Sequence, residues 1–127
     1  MTGASRGLGS RWRRAWPRPA PPSCWNGRDP ATLEPRRAEI EAAGGRAAIA
    51  AFDVRDRAAG DAAIDAIEAQ FGHLDILINN AAFGVGRDFF DITDEEAGVS
   101  MDVALDSCFR LSRKAAAKIW SNAAPGR

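Results

Sequence analysis

The chain opens on Thr2-Gly3-Ala4-Ser5-Arg6-Gly7-Leu8-Gly9, in which three glycines follow the spacing G-x-x-x-G-x-G. Because glycine has no side chain, this backbone can turn sharply and come within contact distance of a phosphate before a helix begins. A glycine-rich loop by itself is a weak signal. It gains weight from Leu74-Asp75-Ile76-Leu77-Ile78-Asn79-Asn80-Ala81-Ala82, an apolar run that ends in two asparagines. The second stretch follows the first at the distance expected of a later strand in the same sheet.

Length and composition narrow the class of protein. The chain has 127 residues, with 17 basic and 17 acidic side chains. This length suffices for one domain, but a complete doubly wound oxidoreductase usually takes roughly 250 residues. Balanced charge argues against a nucleic-acid partner, and no apolar run approaches the ~20 residues of a membrane span. Two cysteines and one histidine cannot build a disulfide framework or a zinc site. We therefore expect a cytoplasmic protein that acts on small molecules.

Strand and helix signals alternate along the chain, which argues for a parallel sheet covered on both faces. Strands are predicted at 47–52 and 74–79, and the helix caps are predicted at Asp29, Asp56 and Thr93. Pro35 should kink the first helix or delay its start. The last and longest helix carries an apolar stripe, predicted to face the core, at Met101, Leu105, Cys108, Leu111, Ala115 and Ile119.

Residues 10–25 depart from this pattern. They hold three of the four tryptophans, and several prolines prevent a helix where the glycine loop should open one. We interpret residues 10–25 as the product of a frameshift in the coding sequence, with the original reading frame restored just before Asn26. Residues 120–127 are interpreted as an aberrant tail. The alternative is a cationic patch, Arg11-Trp12-Arg13-Arg14, for nucleic acid or a membrane, but the charge around it is balanced.

The two opening stretches resemble the short-chain dehydrogenase/reductase family, whose patterns are T-G-x-x-x-G-x-G and N-N-A-G. Here the second reads N-N-A-A, with Ala82 in place of glycine. The resemblance covers residues 2–9 and 26 to about 119, the cofactor-binding half of the family. It implies an α/β fold with a truncated Rossmann-like, doubly wound parallel sheet, in a partial dinucleotide-binding domain over 1–119. The first strand is expected to be missing before Met1 and the second to be disrupted.

The resemblance also implies the cofactor-binding residues. The loop would face the pyrophosphate, the residue past the second strand would select the cofactor, and the ends of later strands would contact adenine, ribose and nicotinamide. Arg28 and Arg6 could both meet a 2′-phosphate, so NADP is favoured over NAD, although Asp29 could bind a ribose. The implied residues are Gly3, Ser5, Arg6, Gly7, Leu8, Gly9, Arg28, Asp53, Val54, Asn80 and Ala81.

In this family, hydride moves between nicotinamide and an alcohol or carbonyl carbon, with a tyrosine as general acid and base. This sequence contains no tyrosine, and the family's serine and lysine would lie beyond Arg127. Asp102 stands at the position of the family's supporting asparagine, whereas Lys114 and Lys118 are interpreted as the solvated end of the long helix. The chain as given should therefore not catalyse.

We expect the full-length parent protein, of which this chain is the cofactor-binding half, to be a homo-oligomer. It would be an NAD(P)-dependent oxidoreductase that acts on a small alcohol or carbonyl compound. The segment Asn26-Gly27-Arg28-Asp29 and Asp102 look like the branch that oxidises sugar acids such as gluconate, while 3-oxoacyl reductases remain close competitors. A second hypothesis is a non-catalytic nucleotide-binding fragment or a decayed reading frame.

Overall fold

The computed structural model describes residues 1–5 and 21–123. Strands and helices alternate in this part of the chain, as the sequence predicts for an α/β fold. The elements are β1 (Ser23–Gly27), α1 (Pro30–Ala42), β2 (Ala47–Ala51), α2 (Arg57–Phe71), α3 (Asp94–Met101) and α4 (Ser107–Ala123). A 3-10 turn at Phe89–Asp91 precedes α3, and a π-helical turn at Asp102–Asp106 joins α3 to α4.

The strand that we expected to be disrupted is present. β1 pairs in parallel with β2 along its whole length, from Ser23 opposite Ala47 to Gly27 opposite Ala51. Trp25, which we had assigned to the out-of-frame segment, is 6% exposed and packs with α1, and its indole N–H donates to the Ser23 hydroxyl at 2.9 Å. Ladder hydrogen bonds come from the backbone, and tryptophan favours strands, so an unusual composition did not prevent pairing here. Residues 10–20 of that segment lie outside the described residues.

The segment predicted as a strand at 74–79 has no regular secondary structure and does not join the sheet. Within the described residues the sheet has two strands, β1 and β2. Segment 74–79 is held at its end, where Thr2 N–H donates to the Ile78 carbonyl at 3.0 Å and the Asn79 amide donates to Ser112 of α4 at 2.9 Å. A ladder requires a neighbouring backbone along the whole segment. Met1 and Thr2 supply that neighbour for two residues only.

The predicted helix caps are confirmed. Asp29 accepts from Ala31 N–H at 2.9 Å, Asp56 accepts from Ala59 N–H at 3.0 Å, and Thr93 and Glu96 form a capping box. Short polar side chains satisfy the N–H groups that a helix leaves free at its start. Pro35 does not delay α1, which begins at Pro30.

The π turn changes which face of the long helix is buried. Ser107 N–H donates to the Asp102 carbonyl, five residues back, so the turn holds one residue more than an α turn. Leu111 and Ala115 are buried as predicted, but Met101 and Leu105 are 64% and 66% exposed. The predicted stripe was wrong at these two positions because the uniform helical period fails at the π turn.

Helices α2 and α4 pack together on one side of the molecule. Their shared cluster of buried apolar side chains, which also draws on the π turn and the loop after β2, is Val54, Ile64, Val103, Leu111 and Ala115. Lys114 and Lys118, interpreted from the sequence as a solvated helix end, both form ion pairs with Asp65 of α2, at 2.9 and 3.2 Å. Helix α4 continues through Trp120 to Ala123, so part of the expected tail is helical.

The π turn decides which residues of the long helix face the core, and this can be tested with Leu105 of the π turn and Leu111 of α4. Leu111→Ala should lower the free energy of unfolding by about 2–4 kcal/mol, because Leu111 is 2% exposed and its loss leaves a cavity. Leu105→Ala, outside the core, should change it by less than about 0.5 kcal/mol. Urea unfolding at low protein concentration, followed by circular dichroism, measures both. Equal losses for the two variants would contradict this register.

Candidate functional site

A cavity of about 440 Å³ lies where β1, β2 and segment 74–79 end. The carboxyl ends of parallel strands form the usual ligand crevice of open α/β sheets. All the cofactor-binding residues predicted from the sequence that fall within the described residues line this cavity. They are Gly3, Ser5, Arg28, Asp53, Val54, Asn80 and Ala81. The remaining predictions, Arg6, Gly7, Leu8 and Gly9, lie outside the described residues.

Thr2 joins the amino-terminal loop to the end of segment 74–79. The Thr2 hydroxyl, in a residue 5% exposed, accepts from the backbone N–H groups of Asn80 at 2.9 Å and Ala81 at 3.0 Å. The Asn80 side-chain amide donates in return to the carbonyls of Thr2 at 3.0 Å and Gly3 at 2.9 Å. We call these four bonds the Thr2–Asn80 junction. It fixes one wall of the cavity.

Asn26 plays a matching part on the other side of the loop, and the sequence reasoning missed it. Its side chain, in a residue 5% exposed, donates to the carbonyls of Ala50 and Phe52, each at 3.0 Å. Its backbone carbonyl accepts from Ala4 N–H at 2.7 Å. Buried amides of this kind hold backbone segments together because an unpaired polar group would be costly there. The loop is therefore tied to β1 and through it to the end of β2.

Gly3 sits between these two attachments in a conformation that suits only glycine. Its φ is +60°, and a Cβ built there would lie 2.7 Å from the Ala81 Cα atom. A positive φ strains other residues, and contact this close to backbone leaves no room for a methyl group. Gly3 is thus required for the contact between loop and strand end as well as for the shape of the cavity.

The charged part of the cavity centres on Asp53. Arg55, which sequence reasoning also missed, forms a bidentate pair with it, with Nε 3.1 Å from Oδ1 and Nη2 2.8 Å from Oδ2. These hydrogen bonds hold the pKa of Asp53 below its ordinary value, and the charge of Arg28 acts in the same direction. Among the described residues no acidic side chain forms an ion pair with Arg28, which is exposed at the cavity. Arg28 is therefore available to an anion in the cavity.

Arg110 supports the loop that carries Asp53 and Arg55. It is 8% exposed, and its Nη2 donates to the Val54 carbonyl at 3.1 Å, while Nε donates to Asp106 at 2.7 Å. A guanidinium group is suited to this because its donors are held in a rigid fork. No local pattern signals such a role, since the partners are 56 residues apart in the chain.

Asp102, predicted at the position of the family's asparagine, begins the π turn and is exposed. It is not among the residues that line the cavity, whereas its neighbour Val103 is. Its charge nevertheless reaches the site. The hydrogen bonds that Arg55 donates to Asp53 are the main cause that raises the pKa of Arg55, and the charge of Asp102 acts in the same direction. π turns recur at functional sites, because the extra residue redirects side chains.

Over residues 1–5 and 21–123, no three His, Cys, Asp or Glu side chains are grouped so as to hold a metal ion. In the same ranges, none of the helices combines the length and the apolar character that crossing a membrane would require.

The requirement for glycine at position 3 can be tested with three alanine substitutions. Gly3→Ala should lower the free energy of unfolding by roughly 2–5 kcal/mol, from its positive φ plus the clash with Ala81. Gly44→Ala, with φ +80° and open space around it, should show the backbone cost of about 1–2 kcal/mol. Gly84→Ala, also in open space and without a positive φ, should be near neutral. Urea unfolding ranks the three, and a Gly3→Ala loss no larger than that of Gly44→Ala would refute the close contact.

Comparison with known proteins gives one consistent family. The family model for short chain dehydrogenases matches residues 1–127. A gluconate 5-dehydrogenase of Gluconobacter oxydans is 41% identical over 81 residues, which are 64% of this chain and 32% of that protein. A hexahydro-indene-carboxyl-CoA reductase of Mycobacterium tuberculosis is 43% identical over 79 residues, 61% of this chain and 30% of the relative.

Solved structures agree with these sequence matches. The structure of a metagenomic short-chain oxidoreductase, in complex with NADP, superposes with a TM-score of 0.86 at 30% identity, over 96% of this chain and 56% of the other. The chain therefore spans about a third of the length of these curated relatives and about half of that structure. The match to the family model covers the whole sequence, and on that ground the chain belongs to the short-chain dehydrogenase family.

Proposed function

We propose that the cavity at the carboxyl ends of the strands binds the adenosine half of NADP(H). The observation that carries this proposal is the convergence of Gly3, Arg28, Asp53 and Asn80, which are far apart in the chain, on one cavity. In the related metagenomic oxidoreductase, NADP is the bound cofactor. The chain would thus hold the nucleotide, with the oxidoreductase activity belonging to the whole protein.

The residues present fit the chemistry of this ligand. A carboxylate has about four acceptor positions, so Asp53 can accept from an adenine amino group besides Arg55. Arg28 supplies an exposed guanidinium at the cavity, suited to a bidentate contact with a phosphate. These features support NADP over NAD, because NAD has no phosphate on its adenosine ribose. Asp29, the competing ribose ligand, is a helix cap that accepts from Ala31 N–H, and unlike Arg28 it does not line the cavity.

The reaction proposed for the whole protein is hydride transfer between the nicotinamide and a small alcohol or carbonyl substrate. The cofactor supplies the hydride chemistry, and this chain's residues bind and orient its adenosine end. Proton transfer needs a side chain whose pKa suits the task, and this sequence contains no tyrosine to serve as the family's acid and base. We therefore propose binding without turnover for the chain as given. A sugar acid such as gluconate is the first proposed substrate, supported by the Gluconobacter relative, and a 3-oxoacyl compound is the alternative, supported by similar ketoacyl reductases.

The whole protein is further proposed to be a homo-oligomer. Three apolar side chains along α3, the π turn and α4 are 62–66% exposed, namely Met101, Leu105 and Phe109. They are four residues apart, a spacing that aligns them along one face of the helix. Aligned apolar side chains of this kind mark association surfaces.

The oligomeric state can be tested by sedimentation of the whole protein. The measured mass should be a multiple of the monomer mass, and a monomer at high concentration would reject the proposal.

Cofactor choice can be tested by removing the cation at the cavity. Arg28→Ala should weaken NADPH binding by about tenfold or more and change NADH binding by less than about threefold, since only NADPH carries the extra phosphate. Arg36→Ala is the matched control, because Arg36 lies on α1 outside the cavity lining and pairs with Glu39. Titration calorimetry on the three chains measures both nucleotides. Equal losses for NADPH and NADH would reject the role of Arg28, and no binding to the unmodified chain would favour a decayed reading frame.

A further inference from the structure

Arg110 is a buried cation that lies outside the lining of the cavity at the strand ends but contacts the loop that forms part of it. Its Nη2 donates to the Val54 carbonyl at 3.1 Å, and its Nε donates to the Asp106 carboxylate at 2.7 Å. Val54 lines the cavity, whereas Arg110 and Asp106 do not. Burying a charge is costly unless the charge is paired and hydrogen-bonded. These two bonds therefore tie the loop after β2 to α4 and the π turn.

The Val54 carbonyl and the Arg55 N–H belong to one peptide unit, so a bond to one of them orients the other. A trans peptide is planar, and its C=O and N–H point in opposite directions. Arg110 holds the carbonyl on one side. On the opposite side, the Arg55 N–H donates to Oδ1 of Asp53 at 2.9 Å. We call this series of contacts, from the Arg110 guanidinium through the Val54–Arg55 peptide to the Asp53 carboxylate, the Arg110 relay.

The side chain of Arg55 is a less rigid support for Asp53 than its backbone. The guanidinium of Arg55 pairs with both carboxylate oxygens, but this side chain is 43% exposed. A long, exposed side chain can follow the carboxylate as it rotates. The Arg55 N–H cannot do so while Arg110 holds the other side of the same peptide. The Arg55 side chain therefore supplies charge, whereas the Arg110 relay supplies orientation.

The π turn gives the relay a fixed starting point. The Ser107 hydroxyl, in a residue 2% exposed, donates to the Val103 carbonyl at 2.6 Å, which holds the turn from within. Asp106, the last residue of the turn, pairs with Arg110 and also with Arg57 of α2, at 3.1 Å. The Arg57 side chain is 70% exposed, and surface ion pairs contribute little. Arg110 is thus the buried partner that connects the turn to the loop.

We propose that Arg110 is a positioning residue for the base of the nucleotide: through the Val54–Arg55 peptide it fixes the direction in which Asp53 offers its remaining acceptor position. This inference rests on the proposed function, in which Asp53 accepts from the amino group of adenine. The backbone and side chain of Arg55 take most of the roughly four acceptor positions of the carboxylate. A base with a donor at the right place is then preferred to one with a carbonyl oxygen there.

Base preference in an Arg110→Lys variant tests the proposal. Lysine keeps the charge, but a single ammonium group cannot reproduce the fork of a guanidinium. Titration calorimetry compares NADPH with its hypoxanthine analogue, in which a carbonyl oxygen replaces the amino group. The unmodified chain should bind NADPH about tenfold or more tightly than the analogue, and the variant should reduce this ratio below about threefold. The preference for NADPH over NADH, assigned to Arg28, should not change. A ratio of affinities within one variant does not depend on how much of the chain is folded.

Two further substitutions separate the relay from general loosening of the fold. Arg57→Ala is the matched control, since it removes the exposed partner of Asp106 and should change the adenine preference by less than about twofold. Asp106→Asn should lower the preference, and combining it with Arg110→Lys should cost no more than Arg110→Lys alone, because both act on one relay. An unchanged preference in Arg110→Lys, or an equal fall in Arg57→Ala, overturns the proposal.

Amide hydrogen exchange without nucleotide keeps this question apart from the proposed function. Asp56 N–H donates to the Asp53 carbonyl at 2.8 Å and reports on the loop, while Gly45 N–H, bonded to the Ile40 carbonyl at 2.9 Å, serves as a reference outside it. Arg110→Lys should speed exchange at Asp56 by about fivefold or more and leave Gly45 unchanged. If the unmodified chain binds no NADPH, the proposed function fails, and exchange alone decides whether Arg110 positions the loop. Unchanged exchange at Asp56, or equal acceleration at both amides, overturns that role.

Discussion

The Thr2–Asn80 junction is the interaction on which the arrangement of this molecule depends. Segment 74–79 has no ladder partner among the described residues, so its position relative to β1 is held by Thr2 and Gly3 at its carboxyl end. A hydroxyl and a side-chain amide exchange bonds with backbone there, in a setting where water is largely excluded. Polar groups so placed are costly to separate, which is why a junction of a few hydrogen bonds can position a whole segment.

The same junction explains why the candidate site survives in a chain that matches about half of a related structure. A crevice at the carboxyl edge needs the strand ends, not the strand bodies, to be in place. Asn26 ties the loop to the end of β2, and Arg110 holds the Val54 carbonyl from the far side of the fold. A second cavity, of about 190 Å³, lies between β1 and segment 74–78 at the other end of the strands, away from these cross-links. Order at one end and a gap at the other follow from where the polar side chains lie.

Helix caps and site residues could be predicted from the sequence, whereas β1 and the π turn could not. Helix caps at Asp29, Asp56 and Thr93 were predictable because a cap acts on the residues next to it in the chain. The assignment of Asp53, Val54, Asn80 and Ala81 to one place was predictable from the resemblance to the family, whose cofactor-binding residues lie at the ends of parallel strands. β1 was not expected, because the composition of residues 10–25 is unusual for a strand. The backbone hydrogen bonds that pair β1 with β2 can be made by any non-proline residue. The exposure of Leu105 was not predictable, since nothing in the local pattern announces a π turn.

By itself the sequence determined the order of the helices, the caps at which they start, the family and the residues that gather at the strand ends. Those features depend on neighbours within a few positions, or on motifs whose spacing implies a shared geometry. Only the tertiary structure decided that Arg55 pairs with Asp53 on both oxygens, that Arg110 braces the loop, and that 74–79 stands apart from the sheet. Each of these depends on which backbone atoms come within hydrogen-bond distance after folding. That distance is set by the packing of segments distant in the chain, and no local pattern encodes it.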